Sequence, residues 1–215
     1  MKFLSIGGAG FVGTNFAKFI KRKQIGHVEN LDNGRLSTGE ISFKKFDVVE
    51  KSISDLEIWI ENCDVVINFA AITRVEESLK DPWKSFSVNI NIHHKICETL
   101  RIMKTKRKKI PMCLFLSTGG ALAGQTDKII NEEILPKPLS TYGASKLACE
   151  ALGYSYTKSY GLDIRNLRFT NIYGPYCEKK ESVVARFIRN ILNNEPIKVR
   201  DNGLMKRDFI YVDDV

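Results

Sequence analysis

The stretch KFLSIGGAGFVGTNFAKFI, Lys2–Ile20, contains the clearest structural pattern of the sequence. It begins with a short apolar run, which predicts a strand over Lys2–Ile6, and continues directly into the glycine-rich GGAGFVG, Gly7–Gly13. The apolar residues that follow recur at helical spacing and predict a helix near residues 11–23. A strand that leads through a glycine-rich turn into a helix is typical of the first unit of a doubly wound α/β domain.

Short β-rich runs and helical patterns alternate along the rest of the chain. Because parallel strands need helical crossovers, this alternation predicts an α/β fold, a doubly wound parallel sheet of Rossmann type with helices on both faces. Further strands are predicted at 27–31, 41–46, 64–69, 111–117, 163–169, 196–199 and 208–212, and further helices near 83–104, 140–160 and 183–193.

The second predicted strand ends in LDNG, which places Asp32 about 20 residues after the glycine-rich turn, as dinucleotide-binding folds require. Glycines in such a turn let the backbone approach a pyrophosphate, whose charge the helix N-terminus then holds. An acidic residue at this strand end accepts hydrogen bonds from the adenosine ribose hydroxyls. The two features predict a dinucleotide site that favours NAD over NADP, although Arg35 is near enough in sequence to accommodate a 2′-phosphate.

The composition is that of an ordinary soluble chain, since 43% of the 215 residues are hydrophobic, 27% are charged and the formal net charge is +8. With no sustained apolar run and no signal-peptide pattern, we expect no membrane contact and a cytoplasmic location. Five widely spaced cysteines without CxxC spacing indicate reduced thiols and no metal site. We interpret the basic stretch RIMKTKRKK, residues 101–109, as a solvated helix end and expect no nucleic-acid partner.

The segment STYGASK, Ser140–Lys146, places Tyr142 and Lys146 four apart on a predicted helix and therefore on one face. A phenol is a poor base at neutral pH, and a nearby ammonium stabilises its phenolate. The pair Ser117–Thr118 stands at the carboxyl end of a predicted strand, where doubly wound folds place their ligands. These residues predict a site that accepts a proton from a substrate hydroxyl.

The chain resembles the extended short-chain dehydrogenase/reductases, and among them the nucleotide-sugar epimerase/dehydratase family, along essentially all of its length. The motifs that carry the resemblance are GxxGxxG at Gly7, Gly10 and Gly13, LDN at 31–33, FDV at 46–48, NFAA at 68–71, Asn89, Ser117–Thr118, YxxxK at 142–146, LRFTNIYGP at 167–175 and RDFIYVDDV at 207–215. The resemblance implies an NAD-binding Rossmann domain over residues 1–175 and the beginning of a substrate-binding region over 176–215. We expect most of that smaller region to be missing from these 215 residues.

The resemblance also implies roles for single residues. Tyr142 would take the proton of a sugar hydroxyl, and Lys146 would hold the nicotinamide ribose and lower the pKa of Tyr142. Thr118, or Ser117 beside it, would hydrogen-bond the same sugar oxygen. The residues expected to bind NAD are Gly7, Gly10, Phe11, Val12, Gly13, Asp32, Asn33, Asp47, Val48, Phe69, Ala70, Ala71, Asn89, Tyr142, Lys146 and Phe169. Asn171 and Arg207 would meet the diphosphate of a UDP-sugar substrate.

The two residues after Thr118 discriminate among the reactions of this family. A 4,6-dehydratase must protonate a departing C6 hydroxyl and remove a C5 proton, and its family pattern places an Asp-Glu pair there. This chain has Gly119 and Gly120, and neither transfers a proton. The sequence therefore favours 4-epimerisation of UDP-glucose or its N-acetyl form. Two alternatives stay open: another dehydratase, decarboxylase or reductase of the family, and a non-catalytic NAD-binding protein.

Two further expectations concern the surroundings of the site. Ala123 replaces the tyrosine of the family's usual VYG, and we expect this change to widen the sugar pocket. Family members commonly form homodimers through the long helices near 83–104 and 140–160. The residues that would suit such an interface, or else pack within one subunit, are Cys97, Leu100, Leu147 and Leu152.

Overall fold

A computed structural model describes residues 1–199, 201–204 and 206–215. Six of its strands are β1 (Lys2–Ile6), β2 (His27–Asp32), β3 (Lys44–Lys45), β4 (Val65–Asn68), β5 (Met112–Thr118) and β6 (Ile164–Phe169). They form one parallel sheet in the order β3-β2-β1-β4-β5-β6. The order reverses between β1 and β4, which is the topological switch point of a doubly wound fold. The predicted fold class is confirmed.

Helices connect the strands and cover the sheet. They are α1 (Phe11–Lys23), α2 (Ile53–Ile60), α3 (Val75–Lys80), α4 (Pro82–Thr105), α5 (Gly119–Ala123), α6 (Thr141–Tyr160) and α7 (Val183–Leu192). Two more strands, β7 (Asn171–Tyr173) and β8 (Phe209–Tyr211), pair in parallel outside the main sheet. The sequence did not predict α2, α3, α5 or β7, which are all too short for a clear periodic pattern.

Two predicted strands differ from the structure. The strand expected over 41–46 is reduced to β3, an exposed two-residue edge that pairs only with the end of β2. Residues 196–199 form no strand, because this segment starts with a proline and its apolar Ile197 and Val199 are exposed instead of packed on the sheet.

The main core lies between the sheet and the helices α2, α4 and α6. Cys97 and Leu100 of α4 are fully buried in this core, so they are not available to a subunit interface and that part of the prediction was wrong. Leu152 is also packed against the core, although only partly buried. The large apolar or aromatic side chains that these two helices expose are Trp83, Phe86, Tyr154 and Tyr160.

The basic stretch at the end of α4 makes intramolecular ion pairs. Lys106 and Lys108 both contact the carboxylate of Glu57, at 2.7 and 3.0 Å. Lys109 pairs with Asp64 at the start of β4. These ion pairs therefore join the end of α4 to α2 and to the residue that precedes β4. Among the helices of the described residues, none is both long and apolar enough to cross a membrane.

Candidate active site

The carboxyl ends of the strands open into one large cleft of about 2170 Å³. With a single exception, Asn89, every residue predicted to bind cofactor or substrate lines this cleft. The lining residues from that set are Gly7, Gly10, Phe11, Val12, Gly13, Asp32, Asn33, Asp47, Val48, Phe69, Ala70, Ala71, Ser117, Thr118, Tyr142, Lys146, Phe169, Asn171 and Arg207. The topology thus gathers residues that are up to 200 positions apart at the switch point.

The glycine-rich turn forms the floor of the cleft. Gly7 has φ of +75°, and a Cβ atom there would lie 2.6 Å from the Cα of Ala70, so only glycine fits. Helix α1 begins directly after this turn, at Phe11, and runs for 13 residues. Its N-terminus, with positive dipole end and free amides, suits the two phosphates of a dinucleotide.

The carboxylate of Asp32 is held at the end of β2 by two backbone amides. Its Oδ2 accepts from Ala9 N at 3.0 Å, and its Oδ1 accepts from Gly34 N at 2.7 Å. A carboxylate has about four acceptor positions, so two remain for the hydroxyls of a ribose. Further along the cleft, Asn33 donates to Asp47 at 3.1 Å, which joins the two loops expected at the adenine.

Arg35 also lines the cleft, and its side chain is engaged in an ion pair. Its guanidinium pairs with the carboxylate of Glu77 on α3, across the opening of the cleft. Sequence reasoning did not identify Glu77, because α3 is a six-residue helix with no motif. The ion pair and Asp32 together favour NAD over NADP.

Helix α6 sets the position of the tyrosine and the lysine. The Ser140 side chain caps it by accepting from Gly143 N at 3.2 Å, so Tyr142 lies in the first turn and Lys146 one turn later. The Lys146 Nζ donates to the carbonyl of Leu116 at 2.8 Å and lies 4.5 Å from the ring centroid of Phe115. The lysine therefore binds the end of β5, next to Ser117 and Thr118.

Burial dominates the pKa values of this pair. It lowers the pKa of Lys146 to about 8 and raises the pKa of Tyr142 to about 12. A hydrogen bond with Thr118 acts in the opposite direction on Tyr142 but is the smaller effect. Burial and Thr118 account for the shift in the pKa of Tyr142. That Lys146 lowers the pKa of the phenol stays a prediction.

Asn89 lies behind the wall of the cleft and is buried. Its side-chain amide accepts from Ile72 N at 2.7 Å and donates to Ser145 Oγ at 2.9 Å. Ser145 in turn donates to the carbonyl of Tyr142 at 2.7 Å. The structure thus places Asn89 where it joins the loop after β4 to the first turn of α6, and direct contact with a cofactor stays a prediction.

The two glycines after Thr118 begin α5, and Thr118 caps this helix by accepting from Ala121 N at 3.4 Å. A Cβ atom built at Gly120 meets no other atom within 4 Å, and one built at Gly119 meets Ile130 at an ordinary 3.6 Å. Neither position requires glycine for steric reasons. Gly120 is exposed and lines the cleft, so it leaves open space beside Thr118, whereas Gly119 is buried outside the cleft.

Ala123 lies on the other side of α5. It is 5% exposed and lines a separate small cavity of about 10 Å³, together with Arg168 and the loop near Ile134. The prediction that this alanine widens the sugar pocket is therefore wrong. The helical turn of α5, which the sequence did not predict, rotates its side chain away from the cleft.

The two residues expected at a diphosphate, Asn171 and Arg207, also line the cleft. Asn171 Nδ2 donates to the carbonyl of Asp208 at 2.9 Å, which ties β7 to the residue that follows Arg207. Lys180, which sequence reasoning missed, lines the cleft as well and donates to Ile172 O at 3.0 Å. Only a short charged run marks it in the sequence, and such runs are usually solvated.

Known proteins share this architecture. The profile of the NAD dependent epimerase/dehydratase family matches residues 4–215. The chain is 30% identical to a dTDP-D-glucose 4,6-dehydratase of Dictyostelium discoideum, over 100% of this chain and 53% of that protein. It is also 30% identical to a UDP-glucuronate 4-epimerase of Thermodesulfobacterium geofontis, over 99% of this chain and 68% of that protein.

A solved structure agrees with these relatives. The UDP-glucose 4-epimerase of Thermus thermophilus, crystallised with NAD, superposes with a TM-score of 0.85 at 29% identity, over 100% of this chain and 71% of that chain. The chain therefore spans from about half to about seven tenths of the length of these relatives. The family is NAD-dependent and the Thermus thermophilus enzyme was crystallised with NAD, so the cofactor is NAD, as the sequence predicts. The glycine-rich turn and the carboxylate of Asp32 both line the cleft. The fold, the site and the full-length profile match together establish that this chain belongs to the NAD-dependent epimerase/dehydratase family.

Proposed function

We propose that this chain binds NAD and interconverts the C4 epimers of a UDP-hexose, UDP-glucose or its N-acetyl form, through a 4-keto sugar. The observation that carries the proposal is the grouping of Thr118, Tyr142 and Lys146 in one cleft beside Gly120, which leaves open space. Oxidation at C4 needs these three side chains. Return of the hydride to the opposite face needs room for the keto sugar to turn.

The residues that would hold NAD are those of the glycine-rich turn, the carboxylate of Asp32 and the loop of Asp47 and Val48. When bound, NAD supplies the acceptor and later the donor of the C4 hydride, together with a positive nicotinamide ring. Phe169, at the end of β6, lines the same cleft and is expected to pack near that ring.

The chain's own chemistry is movement of a proton at the Tyr142 phenol. The phenolate accepts the proton of the C4 hydroxyl as the C4–H bond breaks, and the phenol returns that proton when the C4–H bond re-forms. The pKa of the Tyr142 phenol is about 12 and must fall for this step. The Lys146 ammonium and the nicotinamide are the cations that would lower it. Thr118, which already hydrogen-bonds the phenol, would share the sugar oxygen.

A 4,6-dehydratase is the second candidate, because Asp127 also lines the cleft and one relative carries that activity. Asp127 lies on the loop after α5, away from the two positions where the family pattern places its acid and base. Epimerisation needs no such group. We therefore rank elimination second.

The test uses the purified chain with NAD and either UDP-glucose or UDP-N-acetylglucosamine, followed by chromatographic separation of the C4 epimers. We expect conversion by the wild type and none by Tyr142→Phe, which keeps its affinity for NAD. Tyr160→Phe is the matched control, because Tyr160 is an exposed tyrosine at the end of the same helix. A 4-keto-6-deoxy product that disappears in Asp127→Asn would assign the dehydratase instead. NAD binding without any product would leave a non-catalytic NAD-binding protein.

We further propose a homodimer that acts in the cytoplasm. The exposed aromatic residues Phe86 on α4 and Tyr154 on α6 support an interface on the outer side of these helices. All five cysteines are free thiols, which suits a reducing compartment. Sedimentation of wild type and of Phe86→Glu tests the dimer, and an unchanged monomeric mass in both would refute it.

A further inference from the structure

Lys95 of α4 donates its ammonium to three carbonyl oxygens of one loop. The acceptors are Val48 O at 2.6 Å, Val49 O at 2.9 Å and Lys51 O at 2.5 Å. A lysine ammonium has three donors, so this one spends its full capacity on a single backbone segment. Lysine side chains lose much conformational freedom when held in this way, and several charge-assisted hydrogen bonds are needed to offset that loss.

The loop that Lys95 holds, residues 47–51, lies at the end of the cleft where the adenine is expected. Asp47 and Val48 both line the cleft. Asp47 also organises the loop from within, because its Oδ1 accepts from Val49 N at 2.9 Å and its carbonyl accepts from Lys51 N at 3.1 Å. The side chain of Asp47 and the ammonium of Lys95 therefore both hydrogen-bond backbone atoms of the same short turn.

Lys95 is partly buried where it meets the loop. Burial lowers the pKa of Lys95, and the Asp47 carboxylate acts in the opposite direction. Helix α4 is anchored in the core on both sides of this residue by Ile92 and Ile96. Lys95 thus connects the loop between β3 and α2 to helix α4, which is anchored in the core.

We propose that Lys95 is a positioning residue for the adenine end of NAD, because it holds the loop of residues 47–51 in the shape that receives the adenine. The proposal rests on the proposed function, which supplies the cofactor. Lys95 does not line the cleft and would act only through the loop. Its substitution should therefore affect ligands that contain adenine and spare those that do not.

The experiment measures dissociation constants of NAD, ADP-ribose and nicotinamide mononucleotide for wild type, Lys95→Met, Lys95→Arg and Lys104→Met. Lys104 is the matched control, since it also lies on α4 and donates to two carbonyls, Tyr160 O at 2.6 Å and Gly161 O at 2.9 Å, away from the cleft. If the untethered loop adopts the binding shape for about a tenth of the time, the dissociation constants of NAD and ADP-ribose rise about tenfold in Lys95→Met. Nicotinamide mononucleotide should bind all four proteins alike.

The conservative variant separates positioning from mere stability. A guanidinium also donates several hydrogen bonds, so Lys95→Arg should recover most of the affinity. Hydrogen exchange of the Val49, Glu50 and Lys51 amides, followed without ligand, should be faster in Lys95→Met than in Lys104→Met.

Three results would overturn the proposal. One is unchanged affinity for ADP-ribose in Lys95→Met, and another is an equal loss in Lys104→Met. The third is an equal loss for nicotinamide mononucleotide, which would indicate general unfolding of the cleft. If the wild type itself binds neither NAD nor ADP-ribose, the proposed function fails with it, and that result is distinct from a failure of Lys95 alone.

Discussion

Replacing Lys146 with methionine should stabilise the folded chain at neutral pH and remove its activity. The lysine is 3% exposed, and its burial lowers the pKa of the ammonium from 10.5 to about 8. Methionine has a similar length but no charge, so it fills the same space without the cost of desolvation. A buried cation that destabilises its own fold is typical of a functional site and is not expected of a packing residue.

The size of the effect follows from the pKa change. A drop from 10.5 to about 8 corresponds to about 3 kcal/mol of unfavourable free energy for the charged form in the folded chain. Below pH 8 both the folded and the unfolded chain carry the proton, so the whole cost is present. Between pH 8 and 10.5 the unfolded chain keeps a proton that the folded chain has lost, so wild-type stability rises with pH. The stability advantage of Lys146→Met should therefore shrink by about 2 kcal/mol from pH 7 to pH 9.5.

The assay is urea denaturation of both proteins, without added cofactor, at pH 7, 8 and 9.5. Lys158→Met is the matched control, because Lys158 is an exposed lysine on the same helix. Its difference from wild type should stay constant over this range. Lys146→Met should also show no conversion of UDP-sugars.

A pH-independent difference between wild type and Lys146→Met would refute the reasoning, since the cost of the buried ammonium must disappear once the folded chain loses the proton. A loss of stability in Lys146→Met at pH 7 that stays constant up to pH 9.5 would refute it more strongly. That result would mean that the hydrogen bond to Leu116 and the contact with Phe115 stabilise the cation by more than burial costs.

Two other substitutions test the cofactor half of the cleft. Gly7→Ala should destabilise the chain by about 3 kcal/mol and abolish NAD binding, because the residue has φ of +75° and its new Cβ would meet the opposite backbone at 2.6 Å; thermal unfolding and NAD titration check this, and normal NAD affinity would contradict it. Glu77→Gln should release Arg35 and increase the affinity for NADP about fivefold, equivalent to about 1 kcal/mol, with NAD unchanged. The double variant that also carries Arg35→Met should lose the gain, and a gain that persists would show that Arg35 is not its source.

Local spacing was sufficient for the parts of the site that lie next to one another in sequence. The turn after β1, the acid at the end of β2 and the Tyr142–Lys146 pair were all predicted, and each of them lines the cleft. In each case the position of a side chain follows from one strand end or one helical turn. The parallel sheet then brings these strand ends to one edge.

The errors concern residues whose surroundings come from distant segments. Cys97 and Leu100 have the pattern of an interface and of a core alike, and only the packing of α4 on the sheet decides for the core. Ala123 was assigned to the sugar pocket because it replaces the tyrosine of the family's usual VYG. The rotation of α5, a short helix capped by Thr118, turns the side chain elsewhere, and no sequence pattern predicts that rotation. The surroundings of Asn89 also depend on distant segments: its amide joins the loop after β4 to the start of α6, and its contact with the cofactor stays a prediction.

The fold class, the glycine-rich turn and the placing of Tyr142 and Lys146 on one helix face could be predicted from the sequence alone, because they depend on period and spacing over a few residues. How these groups behave depends on the packing of distant segments around them. Burial raises the pKa of Tyr142, and no sequence pattern around this residue predicts how deeply it is buried. The hold of Lys95 on three carbonyls more than 40 residues away has the same origin. Desolvation and backbone partners are properties of the packed chain, and no short stretch of sequence contains them.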